Sequence, residues 1–244
     1  MDIIVDGRIF ELQSAGGISR LFRELLPRMC ELDMSLKIHL LSARIMPVLL
    51  PQHPRIEPVP LTYWESALRP GRYFKEARWR GRKRAAARWL DRNRADVWHA
   101  TYYTLPGYQS CPSVVSVYDM IYEQLPQVYS TREHVWTKSQ KEQSIMSADA
   151  LICISRTTRA ELISYYAVDP ARVRVIPLAA SPVFREMDSI NASQQSEQPY
   201  LLYIGSRTGY ENAATLFAAY ARWSLRFEIG LVVVGKPLTA EESS

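Results

Sequence analysis

A chain of 244 residues that is 47% hydrophobic and 23% charged can bury one large domain, or one domain and part of another, which excludes a disordered or fibrous protein. No run reaches the ~18 uninterrupted apolar residues of a membrane span, and Asp2 and Asp6 stand where a secretory leader is basic and then apolar, so a soluble cytoplasmic protein is expected. Cys30, Cys111 and Cys153 are odd in number and widely spaced, which fits neither a disulfide framework nor zinc ligation. Cys153 reads as a buried small apolar residue.

In chain order, Ile3–Val5 opens as a strand, and a loop through Gly7, Gly16 and Gly17 leads into a helix. That helix carries Ile18, Leu21, Phe22, Leu25 and Met29 on one face. Leu36–Leu41 and, more weakly, Ile56–Val59 are the next strands. A basic helical segment follows, then strands at Asp96–His99 and Ser113–Val117. Ser130-Thr-Arg-Glu133 has the pattern of a capping box and predicts a helix to about Met146. Ala150–Ile154 is a strand, Thr158-Arg-Ala-Glu161 caps a helix ending near Tyr166, and Asp169-Pro170 turns the chain into Arg172–Ile176. Strands alternating with helices predict a parallel α/β sheet covered on both faces.

Residues 1–185 read as this first domain and the polar stretch 186–199 as a linker. A fresh unit occupies 200–244: strand Tyr200–Ile204, a loop to Tyr210, a helix to about Trp223 and strand Ile229–Val234. At about 45 residues it is near the size below which a domain rarely stands alone, so it reads as the beginning of an incomplete domain. Its unpaired sheet edge invites self-association or a partner chain.

Charge is uneven. Between Arg69 and Arg94 eleven Lys or Arg face only Glu76 and Asp91, a local +9 in a chain of +5 overall, so the remainder carries −4. One basic segment on an acidic body points to a local anionic partner. Arg78, Arg80, Arg82, Lys83 and Arg84 are its centre, interleaved with Phe74, Trp79 and Trp89. Two readings stay open: a solvated charged helix, or one lying on an anionic membrane with aromatics in the interface. No nucleic-acid motif accompanies it, so no nucleic-acid partner is expected.

Ligands of open α/β sheets bind beyond the carboxyl ends of the strands. Gly16-Gly17 before an amphipathic helix could let a phosphate approach backbone amides, or could be a plain turn. Asp119, after Ser113–Val117 and Tyr118, could orient or deprotonate a hydroxyl, or serve only as a turn residue. His99 at another strand end is an acceptor-side candidate or a satisfied core histidine. Arg207, between strand and helix in the second unit, could hold a diphosphate or be a solvated loop residue.

Several stretches, in this order and spacing, resemble the group-1 glycosyltransferases, the retaining family 4 enzymes of GT-B fold, and most of all their bacterial mannosyltransferase-like branch. They are Asp6-Gly-Arg8 with Gly16-Gly-Ile-Ser-Arg20; Val117-Tyr-Asp119 with Leu125-Pro126; Ala148–Ser155; Arg174-Val-Ile-Pro177; and Tyr203-Ile-Gly-Ser-Arg207 with Asn212. The resemblance implies a Rossmann-like, acceptor-side N-terminal domain and a second Rossmann-like β-α-β unit beginning the nucleotide-sugar-binding domain. It implies transfer of a hexose such as mannose from a GDP- or UDP-linked donor to a saccharide or lipid-linked acceptor in polysaccharide assembly. Gly16, Gly17 and Arg207 would meet the donor phosphates, Asp119 would be catalytic, and Tyr118 would face the acceptor.

The basic segment would dock peripherally on the inner membrane face. No cofactor beyond the donor and no metal is expected, because Arg207 and helix N-termini can offset the leaving charge. Two departures stand out. Glu211 occupies the place of a lysine that would pair with the diphosphate, and the family's distal glutamate pair has no counterpart before Ser244. Little activity is therefore expected of this chain alone, and the alternative is a non-catalytic module that binds acceptor or membrane and completes a site with another polypeptide.

Overall fold

β1 (Asp2–Asp6) places Ile3, Ile4 and Val5 in the core on both of its faces, as a central strand of a parallel sheet requires. It pairs with β2 (Lys37–Ala43) on one side and β4 (Val97–Ala100) on the other. With β3 (Ile56–Leu61), β5 (Ser113–Val117), β6 (Ala150–Cys153) and β7 (Val173–Val175) it forms an all-parallel sheet of order β3-β2-β1-β4-β5-β6-β7. β3 carries Pro58 and Pro60, which lack N–H donors at alternate positions along the strand. Such a strand suits a sheet edge, and β3 lies at one. The expected Rossmann-like class is what the structure has.

This computed structural model describes residues 1–13, 16–43, 49–61, 72–105, 111–181, 183–184, 198–205, 207 and 211–235. Two units divide the chain, Met1–Ser181 and Pro182–Ser244. Residues 186–197 of the expected linker, 69–71 of the basic segment and the tail 236–244 lie outside the described residues.

α2 (Gly17–Leu32) buries Phe22, Leu26 and Cys30 and packs Ile18, Leu21, Leu25 and Met29 against the core. α3 (Arg72–Arg92), α5 (Arg132–Ser147) and α6 (Arg156–Tyr166) follow β3, β5 and β6. Two short helices escaped the sequence: α1 (Arg8–Leu12), which buries Ile9 and Phe10 within the segment read as a loop, and α4 (Ile121–Gln124), for which no element was expected. Five and four residues are too few for periodicity to register.

Both predicted caps are displaced. Thr131, not Ser130, accepts the His134 amide at 3.2 Å. Ser155, not Thr158, caps α6 and accepts the Thr158 amide at 2.9 Å. In each case the capping hydroxyl sits on the extended residue three positions before the amide it serves. All three cysteines are buried and free. Among the described residues no helix is long and apolar enough to cross a membrane.

In the second unit β8 (Tyr200–Ile204) and β9 (Gly230–Val234) pair in parallel, with α7 (Ala213–Arg222) between them in sequence.

Candidate functional site

The chain winds outward from β1 to β3 and then returns past β1 to β4. Loops leaving β1 and β4 part at their carboxyl ends, where parallel sheets of this kind bind ligands. This edge is built from the segments following β1, β4, β5 and β6.

At the end of β1, Asp6 is fully buried and ion-paired with Arg82 of α3. Arg82 Nε donates to Glu11 Oε1 at 2.9 Å, and Arg8 Nη1 donates to Glu11 Oε2 at 2.7 Å. Thr101, just after β4, donates its hydroxyl to the Asp6 carbonyl and accepts from the Ile9 amide at 3.2 Å. Gly7 donates to the Leu41 carbonyl at 2.7 Å, and a Cβ there would stand 2.5 Å from that oxygen. Only glycine lets the chain turn this close to β2.

Burial raises Asp6 above its usual value, with Arg82 opposing. Burial also acts on Glu11, but Arg82 and Arg8 outweigh it and hold that carboxyl below the usual range.

Arg82 is therefore not membrane-facing, as had been expected; it is 1% exposed. It falls at helical spacing with Ala85, Ala86 and Trp89, on the inner side of α3, where the two carboxylates receive it. Arg78, Arg80 and Arg84 are exposed, as is Arg88, so Arg80, Arg84 and Arg88 form a stripe of one-turn steps. Lys83 is half-buried over the Trp79 ring at 4.1 Å, and burial lowers its pKa. Trp79 meets Trp136 edge-on at 5.8 Å and Trp89 leans on His39 at 5.1 Å. The helix thus turns these tryptophans toward the protein, not outward as an interfacial anchor would require.

α2 begins at Gly17, and among the described residues no side chain caps it at Gly16. Gln13 Oε1 accepts from the Ser19 amide at 3.3 Å. A Cβ on Gly16 would run into that Gln13 oxygen, whereas one on Gly17 would meet nothing within 4 Å among the described residues. The Gln13 side chain thus occupies the first turn of this helix on the Gly16 side.

After β5, the Tyr118 hydroxyl donates to the Thr101 carbonyl at 2.8 Å from a buried ring. Burial pushes that hydroxyl well above the ordinary phenol range. Tyr118 is a strut between neighbouring strand ends, which corrects the expected acceptor-facing role.

Asp119 is half-buried. Its Oδ1 accepts from the Ile121 amide at 3.2 Å, so one oxygen closes a turn into α4. The Asp119 carbonyl accepts from Lys141 Nζ at 2.7 Å. Lys141, on α5, also donates to Glu123 Oε2 at 2.7 Å, and both side chains are fully buried. Tyr166 of α6 donates to Glu123 Oε1 at 2.6 Å.

Over this buried pair lie aromatic rings. Lys141 Nζ is 5.6 Å from the Tyr103 centroid and 6.0 Å from that of Tyr122. Tyr103 has φ 43°, a left-handed conformation rare for a bulky residue. Sequence reasoning missed Lys141 and Glu123; the available signal was Lys141 at helical spacing with Ile145, a charge on an inner face.

His99 shares a 2.9 Å hydrogen bond with Ser116 Oγ and sits edge-on to Phe22 of α2 at 5.4 Å. Burial lowers its pKa to about 4. It is half-buried and its Nε2 is taken by Ser116, which favours the satisfied histidine over the acceptor-side reading.

In the second unit, Gly205 directly follows β8 and a Cβ on it would lie 2.5 Å from Glu211 Oε2. Tyr203 donates to that same oxygen at 3.3 Å. Arg207 Nη1 lies 3.5 Å from the position of a Cβ on Gly235, just past β9. Arg207 and Glu211 therefore stand at the carboxyl ends of neighbouring strands. Glu211 precedes Asn212, the N-cap of α7, and so lies outside the first turn of that helix.

The sequence profile of Glycosyltransferase Family 4 matches residues 15–182. The structure of WaaG, a glycosyltransferase involved in lipopolysaccharide biosynthesis, is similar with a TM-score of 0.62 at 15% identity, over 97% of this chain and 64% of that one. The apo lipopolysaccharide outer core galactosyltransferase WaaB gives 0.59 at 13% identity, over 96% of this chain and 60% of that one. A ugt transferase from Siraitia grosvenorii in complex with UDP gives 0.53 at 11%, over 96% of this chain and 73% of that one. These identities speak for the fold, and the chain spans less than two thirds of WaaG and WaaB. No curated protein sequence matches.

Proposed function

The chain belongs to glycosyltransferase family 4, and from that premise we propose that it transfers a hexose such as mannose from a GDP- or UDP-linked donor to a saccharide or lipid-linked acceptor, with retention at the anomeric carbon. The observation that carries this reading is the family match over residues 15–182, almost the whole of the first unit. Asp119, held by its backbone at the crevice, would orient the acceptor hydroxyl. The acceptor oxygen bonds to the anomeric carbon, the nucleoside diphosphate departs with the electrons of the broken C–O bond, and the hydroxyl proton passes to a carboxylate or to the leaving phosphate. Gly16 and Gly17 in the first unit and Arg207 in the second are the residues that would meet the donor phosphates.

Isothermal titration with UDP, GDP and their hexose conjugates tests this. Binding tighter than about 100 μM to at least one is the expected result, and a folded chain that binds none of them refutes the donor assignment.

The stripe of Arg80, Arg84 and Arg88 supports contact with an anionic membrane face through guanidinium groups alone. Flotation with phosphatidylglycerol vesicles should show binding that falls with salt. Replacing all three by Gln should weaken it roughly 100-fold, at about 1 kcal/mol each. Equal binding to neutral vesicles would sink this reading.

A second reading, a non-catalytic acceptor-binding module, is favoured by one observation: the Glu211 carboxylate at the end of β8. Glycan binding without any nucleotide binding would select it.

A further inference from the structure

Between the ends of β4 and β5 lies a group of aromatic side chains that no step above uses. Tyr122, which follows Asp119 into α4, meets Tyr129 edge-on at 4.8 Å. Tyr129 meets His134, in the first turn of α5, edge-on at 5.0 Å, and His134 lies 6.1 Å from Tyr122. Tyr102, directly after β4, stacks at an angle on Tyr103 at 4.8 Å. Burial pushes the Tyr102 hydroxyl above the ordinary phenol range, and the neighbouring Tyr122 hydroxyl and Asp119 carboxylate add to it. Lys141 Nζ, 5.6 Å from the Tyr103 ring and 6.0 Å from the Tyr122 ring, sets the Tyr102–Tyr103 pair beside Tyr122. Tyr102, Tyr122, Tyr129 and His134 are each half-buried, neither core nor free surface.

We propose that Tyr102, Tyr122, Tyr129 and His134 form an aromatic cradle that holds a pyranose ring of the acceptor beside Asp119. This rests on the glycosyl-transfer reading and adds the acceptor's subsite to it. Sugars present an apolar face of C–H groups and a rim of hydroxyls. Tyrosine and histidine present an apolar ring and a polar edge, and the two match face to face and rim to rim.

The position follows from topology. Tyr102 and Tyr122 flank the strand ends of β4 and β5, and the α5 N-terminus brings His134 to that same edge. The cradle has a fixed floor, because Lys141 lies beneath the Tyr122 ring at 6.0 Å while bonded to the Asp119 carbonyl at 2.7 Å. The ring that would stack on the sugar and the residue that would orient its hydroxyl are therefore tied to one ammonium group, so the rings are positioned before ligand arrives.

Saturation-transfer difference NMR of the full chain with methyl α-glucoside, α-galactoside, α-mannoside and their disaccharides tests the cradle. At least one sugar should show transfer strongest at its ring C–H protons. Tyr129→Ala and His134→Ala should each weaken that binding roughly tenfold, whereas Tyr129→Phe should retain it. Tyr165→Ala, on exposed α6 surface, should leave it unchanged. Thermal unfolding of each variant separates lost binding from lost folding, and the Tyr129 Ala and Phe pair keeps the test valid if one variant is unstable. If no sugar binds while UDP or GDP still does, the cradle is wrong and the donor reading stands. If neither sugars nor nucleotides bind, both fall. Sugar binding that is indifferent to Tyr129→Ala and His134→Ala places the acceptor elsewhere and overturns the proposal.

Discussion

Arg82→Met removes the cation shared by two buried carboxylates while keeping much of its apolar stem. The side chain of Asp6 is 0% exposed and that of Glu11 6%. Glu11 keeps Arg8 at 2.7 Å, so the charge stranded by the substitution is that of Asp6, which keeps the Arg8 amide at 3.1 Å. Losing one partner of a buried pair costs about 3–5 kcal/mol. The Arg82 bond to the Leu41 carbonyl, at 3.4 Å, adds little because Gly7 already donates to that oxygen at 2.7 Å.

A loss of about 4 kcal/mol is therefore expected near neutral pH, read by urea unfolding with near-UV circular dichroism. Its pH dependence has a defined sign. Without Arg82, burial holds Asp6 still further above its unfolded value, so the variant is penalised above that raised pKa and relieved as pH falls through it. Glu11 acts in the same direction. Its depressed value stabilises the native protein above the unfolded pKa and ceases to do so as pH falls through the folded one. The deficit should be widest near neutrality and narrow in acid. Adding Asp6→Asn should recover about 2 kcal/mol by discharging the stranded group. A loss under about 1 kcal/mol, or one that is flat with pH, would refute the claim that Asp6 is a charged group held by Arg82.

Three further substitutions probe the same edge. Lys141→Met strands Glu123 and releases the Asp119 carbonyl; a loss of about 3 kcal/mol and faster amide exchange in α4 are expected, and unchanged exchange would show that Lys141 does not fix the Asp119 turn. Gly7→Ala pushes a methyl group against the Leu41 carbonyl, so melting should show a loss of about 2 kcal/mol, and a neutral result would mean that β1 and β2 can part there. Glu211→Lys should tighten UDP or GDP binding about tenfold by exchanging repulsion for attraction, and unchanged affinity in calorimetry would place the diphosphate away from β8.

The α/β class, all seven strands of the first sheet to within two residues at either end, and the family were legible in the chain itself. Alternation of apolar runs with helical spacing is a local property, and central strands such as β1 and β5 are apolar because both of their faces are covered. Gly16-Gly17, Asp119 and Arg207 were legible as candidates because their positions between a strand and a helix follow from the same local pattern.

What the tertiary structure decided is which side of an element meets which neighbour. Arg82 and Arg84 are alike in sequence, yet one is buried between Asp6 and Glu11 while the other is exposed, because a 200° step around α3 separates them. Tyr118 and His99 stand at strand ends as expected, but Thr101 and Ser116 on adjoining segments take their polar atoms. The chain's periodicities set what each segment can be, since they depend on residues a few positions apart. The partners of Arg82, Lys141 and Tyr118 come from 17 to 76 residues away in sequence, and only the order of strands in the sheet brings them into contact.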